Sequence, residues 1–150
     1  MKIAMYKGPA DDFWHKVGHW ATCLWTRSKY SHCELVFSDA PVNGKHLCAS
    51  SSTRDGGVRM KRIDLSSGRW DVFDIHGGDT LRMEAHARQW FYDHDAAKYD
   101  YLGLLWFILP ISAFDRSKRF FCSEAMAASL MLRKPHKYHP QRLLGYVLNM

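Results

Sequence analysis

The sequence predicts one α+β domain, and three observations carry that prediction. Short apolar segments, separated by turns rich in Gly, Pro, Asn and Asp, run through the first half of the chain and read as strands. A stretch near the N-terminus repeats its apolar residues at helical spacing. A segment close to the C-terminus is apolar nearly all round, which demands a central, buried helix. With 150 residues the chain matches one domain and buries roughly 70% of its unfolded surface, needing neither metal nor disulfide to fold.

Taken in order, Lys2 to Tyr6 reads as a short strand closed by Lys7-Gly8-Pro9. Asp11 or Asp12 can cap a helix over about residues 13–27. On it Phe13, Val17, Trp20 and Leu24 share a face, while His15, His19, Thr22 and Thr26 occupy the other. Strands follow near residues 31–38, 45–51, 57–63 and 70–75, divided by Ala40-Pro41-Val42-Asn43-Gly44, Asp55-Gly56-Gly57 and Ser66-Ser67-Gly68. Connections this short favour an antiparallel meander, giving a sheet of about five strands with the first one included. Asp79 or Thr80 starts a helix with Met83, Ala87, Trp90 and Phe91 on one side. A buried apolar segment spans 102–109 and stops at Pro110, and the all-apolar helix runs from about Phe121 to Leu132.

The formal charge of +6 and a pI near 9.2 suit anionic surfaces, including acidic lipid headgroups and cell-wall polymers. The basic residues are scattered, with Arg116-Ser117-Lys118-Arg119 the densest group, and no nucleic-acid-binding signature accompanies them. Nucleic acid is therefore not an expected partner, whereas peripheral membrane contact is compatible with the charge. The longest uncharged stretch, 101–114, contains Pro110 and falls short of the about 20 residues a spanning helix needs. The opening Met1 to Tyr6 run is too short for a signal peptide, so a cytoplasmic chain with unbridged Cys23, Cys33, Cys48 and Cys122 is expected.

Chemistry concentrates at two places. Cys122, in Phe120-Phe121-Cys122-Ser123-Glu124, stands at a helix start, where free N–H groups and the helix dipole favour a thiolate. The same N–H groups could hold a tetrahedral oxyanion. His32 lies in Tyr30-Ser31-His32-Cys33-Glu34, a strand that places His32, Glu34 and Val36 on one side and Cys33, Leu35 and Phe37 on the other. A thiol and an imidazole so placed suit nucleophilic catalysis. Equally, Cys122 could be a small buried hydrophobe and His32 an ordinary strand histidine.

The succession YSHCELVF, CASSSTRDGGVR, YDYLGLL, FFCSEAMAASL and KYHPQRLLGYV resembles the circularly permuted NlpC-type cysteine hydrolases. These are papain-like folds related to the YiiX-type proteins and the lecithin:retinol acyltransferase group. In that branch the histidine strand precedes the nucleophile helix. The resemblance spans about residues 28–145. It implies Cys122 as nucleophile, His32 as general base, and a third polar residue orienting the imidazole from the next strand. Many relatives carry a Glu there; here the matching stretch is Cys48-Ala49-Ser50-Ser51-Ser52, which makes Ser50 the candidate. A serine hydroxyl carries no charge to support an imidazolium. Tyr99 and Tyr101 are candidates for lining the substrate site, or for packing. The implied function is hydrolysis of an amide or ester through a thioester, on a cell-wall peptide or a lipid acyl group, with no cofactor. The alternative is a non-catalytic binding or inhibitor module on the same fold, directed at a partner protein.

Two further patterns carry less. His15, His19 and Cys23 recur every four residues along one helix, but no fourth zinc ligand accompanies them, so no metal is expected. Arg54-Asp55-Gly56-Gly57-Val58-Arg59 resembles a phosphate loop, yet no helix follows, and Asp55-Gly56 reads as a hairpin turn.

Overall fold

The computed structural model describes residues 1–8, 23–24, 27–77, 79–100 and 119–150. The expected helix at 13–27 and the apolar segment at 102–109 therefore fall wholly or mostly outside the described residues. Strands β1 (Lys2–Tyr6), β2 (His32–Val36), β3 (His46–Ser52), β4 (Gly57–Ile63), β5 (Trp70–Asp74), β6 (Lys98–Tyr99) and β7 (Arg119–Phe120) form one sheet, in the order β5-β1-β2-β3-β4-β6-β7. Among the described residues, helices α1 (Thr80–Asp93), α2 (Cys122–Ser129) and α3 (Pro140–Val147) accompany the sheet in an α+β architecture. The five long strands lie close to the segments the sequence marks. Among the described residues the sheet nevertheless has seven strands rather than about five, and it is mixed: β6 and β7 are parallel, the other pairs antiparallel.

The meander is also broken. β2, β3 and β4 pair in succession, but β5 leaves β4 and pairs with β1 at the other edge. Ile3, Ala4 and Met5 are fully buried. A strand that deep must hydrogen-bond along both edges, and β2 satisfies only one of them.

α2 packs over β2 and β3, with α1 and α3 against it. This side holds the main core, including Ile3, Met5, Cys33, Leu35, Ala49, Phe91, Met126 and Leu143. The opposite sheet face carries a smaller cluster of Ala4, Val36 and Cys48 beside Ile63, Leu65 and Trp70.

Local chemistry sets the helix ends. The Asp79 carboxylate accepts from the Arg82 N–H at 3.0 Å, capping α1 as expected. Glu84 then ties α1 to the end of β2, accepting from the Ser38 N–H (2.8 Å) and hydroxyl (2.6 Å). α2 is shorter than the apolar run that specifies it. Met131 turns left-handed (φ 58°), its N–H bonds the Ala128 carbonyl and the Leu132 N–H bonds that of Ala127, a Schellman ending. α3 was not foreseen, although Pro140 in its first turn after the His139 cap is a start signal. Among the described residues no helix is long and apolar enough to cross a membrane.

Candidate active site

The start of α2 meets the start of β2. Phe121 precedes the helix in extended conformation, so Cys122 is its first residue. Two hydroxyls fix this entry. Ser51 of β3 donates to the Phe120 carbonyl at 2.6 Å, and Ser123 donates to the Tyr138 carbonyl at 2.7 Å. Across the junction, the Cys122 thiol lies beside Cys33 and the His32 ring. The two residues singled out for catalysis, 90 positions apart, thus meet in space.

The third position differs from expectation. His32 Nε2 lies 2.8 Å from Glu34 Oε1, so a carboxylate, not Ser50, meets the ring. Pairing of Leu35 with Ala49 and Val36 with Cys48, continued by one residue, sets Ser50 opposite Glu34 on the same face. Its hydroxyl turns instead to the Cys33 carbonyl at 2.7 Å. Ser50 thus shares the face of Glu34, but its buried hydroxyl is satisfied by the backbone it abuts. Glu34 is two residues from His32 on one strand, so the pleat alone sets both side chains on the same side.

Glu34 is 1% exposed, and a carboxylate that deep needs compensation. Arg59 of β4 supplies it with two prongs, Nη1 to Oε2 at 2.7 Å and Nη2 to Oε1 at 2.5 Å. Arg59 Nε in turn donates to Asp55 Oδ2 at 2.7 Å, and Lys61 reaches both Asp55 oxygens at 2.6 Å. Charge therefore alternates from the buried thiol outward: thiolate, imidazolium, carboxylate, guanidinium, carboxylate, ammonium.

The ionisation states follow from that arrangement. Bonding from Cys33, and then from His32, outweighs burial and holds the Cys122 thiol well below its ordinary range. Burial would lower the imidazole, but its bonds to Cys122 and Glu34 lift His32 to about 9. Burial would raise Glu34, yet Arg59 and His32 bring it below the usual carboxylate value. The other thiols move the opposite way. Burial raises Cys23, raises Cys33 well above its ordinary value, and pushes Cys48 up to about 12. Cys33 consequently keeps its proton and can donate it to a Cys122 thiolate. Of four cysteines, Cys122 is the one biased toward the thiolate.

An aromatic row borders the imidazole. Tyr6 pairs across the sheet with both His32 and Trp70, and the Trp70 ring stands edge-on to His32 at 6.4 Å. Tyr99 is buried in β6 and pairs with Phe120, two residues before Cys122. Tyr101 lies outside the described residues, as do His15 and His19. Cys23 is half-buried, and among the described residues no three His, Cys, Asp or Glu side chains gather as a metal site.

No protein-family model matches this sequence, and no curated protein matches it. The site therefore stands on its geometry alone.

Sequence reasoning missed Glu34, Arg59 and Cys33. For Glu34 a signal was present in the His-x-Glu spacing on one strand face. For Arg59 there was none, because its reach to Glu34 depends on the pairing of three strands.

Proposed function

We propose that the chain is a cysteine hydrolase that cleaves an amide or ester through a thioester on Cys122, on a papain-like fold of the permuted NlpC type. The observation that supports it most is the pairing of a thiol at a helix start with an imidazole backed by a buried carboxylate. In this reading Cys122 Sγ attacks the substrate carbonyl carbon, and the electron pair of the C=O moves onto oxygen. N–H groups of the first α2 turn stabilise that oxyanion. As the tetrahedral species collapses, the bond to the leaving group breaks and His32 gives that group its proton. Water then attacks the thioester with His32, now neutral, taking its proton. The acid product leaves and the thiolate–imidazolium pair is restored.

Glu34 fits the remaining role, keeping the ring oriented and favouring its charged form. The binding-module alternative drew its support from an uncharged third position, which Glu34 removes. Tyr6, Trp70 and Tyr99 are the proposed lining residues, suiting a substrate with an apolar flank beside the scissile carbonyl, such as a peptide amide or a fatty acyl group.

Incubation with an activated acyl ester such as p-nitrophenyl acetate or octanoate, quenched in acid and analysed by mass spectrometry, tests the proposal. An acyl adduct on Cys122, absent from Cys122→Ser and strongly reduced in His32→Ala, is expected. Equal adduct on the other cysteines, or hydrolysis that survives Cys122→Ser, contradicts it.

A further inference from the structure

We infer that Arg59 is a positioning residue of the Cys122–His32 pair, its guanidinium crossing β3 to hold the Glu34 carboxylate against the imidazole. The inference rests on the hydrolase reading only for its purpose; its geometry and its test are independent of any turnover.

Glu34 belongs to β2 and Arg59 to β4, with β3 between them. Ser50 pairs with Arg59 and, by the same register, lies between Arg59 and Glu34. A long side chain at position 50 would stand in the path of the guanidinium. The small Ser50, with its hydroxyl turned down to the Cys33 carbonyl, leaves the way open. The planar fork then takes both Glu34 oxygens, a two-pronged grip that fixes the rotation of the carboxylate. Rotation matters because Oε1 serves His32 as well as Arg59. Asp55, itself held by Lys61, grips Arg59 Nε from the solvent side, so the fork is anchored at both ends.

The groups facing Glu34 come from several elements. His32 shares its strand, Cys48 presents the same face from β3, Arg59 and Lys61 project from β4, and Asp55 comes from the β3–β4 turn. Cys33 and Cys122 adjoin His32 from the other side, with Glu124 in the first turn of α2. Of these, Arg59 alone puts a cation on the carboxylate from outside the His32 pair. Without it a carboxyl this buried would bind a proton near neutrality, and the imidazolium would lose its counter-charge.

The test compares wild type, Arg59→Gln and Arg59→Lys by carbon-detected NMR titration of the Glu34 carboxyl and by the rate of Cys122 alkylation at pH 6. In Arg59→Gln the Glu34 midpoint should rise by about two pH units or more, and alkylation should slow by about tenfold or more. Arg59→Lys, which keeps the charge and loses the fork, should titrate near wild type and react about two- to fivefold more slowly. A purely architectural Arg59 would lower the unfolding temperature and leave both readouts at wild-type values, which overturns the inference. Should Arg59→Gln fail to fold, Arg59→Lys decides, and alkylation as fast as wild type overturns the inference. Failure of the hydrolase reading would register separately, as absence of acyl transfer in the wild type.

Discussion

Replacing Glu34 with Gln isolates the charge behind the imidazole while keeping side-chain size. The wild-type contact is a charge-assisted bond of 2.8 Å between His32 Nε2 and a carboxylate that is almost fully enclosed. Bonds to charged groups contribute about 1.5–3 kcal/mol. One pKa unit corresponds to about 1.4 kcal/mol. An imidazole held up to about 9 by Cys122 and Glu34 should therefore titrate at about 7 to 8 in Glu34→Gln. The Arg59 cation, left beside a neutral amide, adds to that fall. The fold loses about 1–3 kcal/mol, since Arg59 retains Asp55. NMR titration of the His32 ring, with thermal unfolding to confirm the fold, measures the change. A His32 midpoint that stays near 9 in a folded variant would refute the assignment of Glu34 as the group that sustains the imidazolium.

Other expectations follow from the same geometry. The pH profile of kcat/KM on an ester substrate should rise as Cys122 ionises, well below the ordinary thiol range, and fall through about 9, where His32 loses the proton the leaving group needs; a profile still rising above pH 10 contradicts this. Stability should track the same groups. The raised His32 stabilises the fold fully below about 6.5 and loses that contribution as pH climbs through about 9. The depressed Glu34 contributes above about 4.5 and is lost as pH falls through its lowered value. Cys122, held well below its ordinary value, contributes as pH rises toward the ordinary thiol range and offsets the alkaline loss at His32. Urea resistance should therefore fall on acidification and stay nearly level up to about 9, and a steep decline between pH 7 and about 9 would contradict the pairing. Gly57→Ala places a methyl 1.9 Å from the Ala97 carbonyl at the seam of β4 and β6, at φ +156°. It should cost about 2 kcal/mol or more in urea unfolding, and a loss below about 0.5 kcal/mol would show that the seam yields. Ser51→Ala frees the Phe120 carbonyl and should cost about 1 kcal/mol while slowing Cys122 alkylation; unchanged reactivity argues against Ser51 fixing the helix entry.

How much was legible depended on distance along the chain. The five long strands and α1 are written in local alternation, turn residues and the Asp79 cap, so their positions follow from the sequence. The pairing of β5 with β1 leaves no local trace, because it answers a need of the whole sheet to satisfy the buried β1. The two-residue strands β6 and β7 are too short to carry a pattern. At the site, the order of a histidine strand and a cysteine helix brought His32 and Cys122 forward. Ser50 came from seeking the third group on the neighbouring strand, when the pleat had already placed Glu34 beside His32. The grip of Arg59 on Glu34 needed the register of β2, β3 and β4, which hydrophobic patterning alone does not fix.

Cys122 alone among the four cysteines is held toward the thiolate, by Cys33 and by His32. Competitive alkylation of the native protein with iodoacetamide at pH 6.5, followed by peptide mapping at successive times, measures this bias. Cys122 should be modified about a hundredfold ahead of Cys23, Cys33 and Cys48, with most of that lead lost in His32→Ala. Labelling of Cys122 no faster than Cys23, or a lead undiminished by removal of His32, would contradict it.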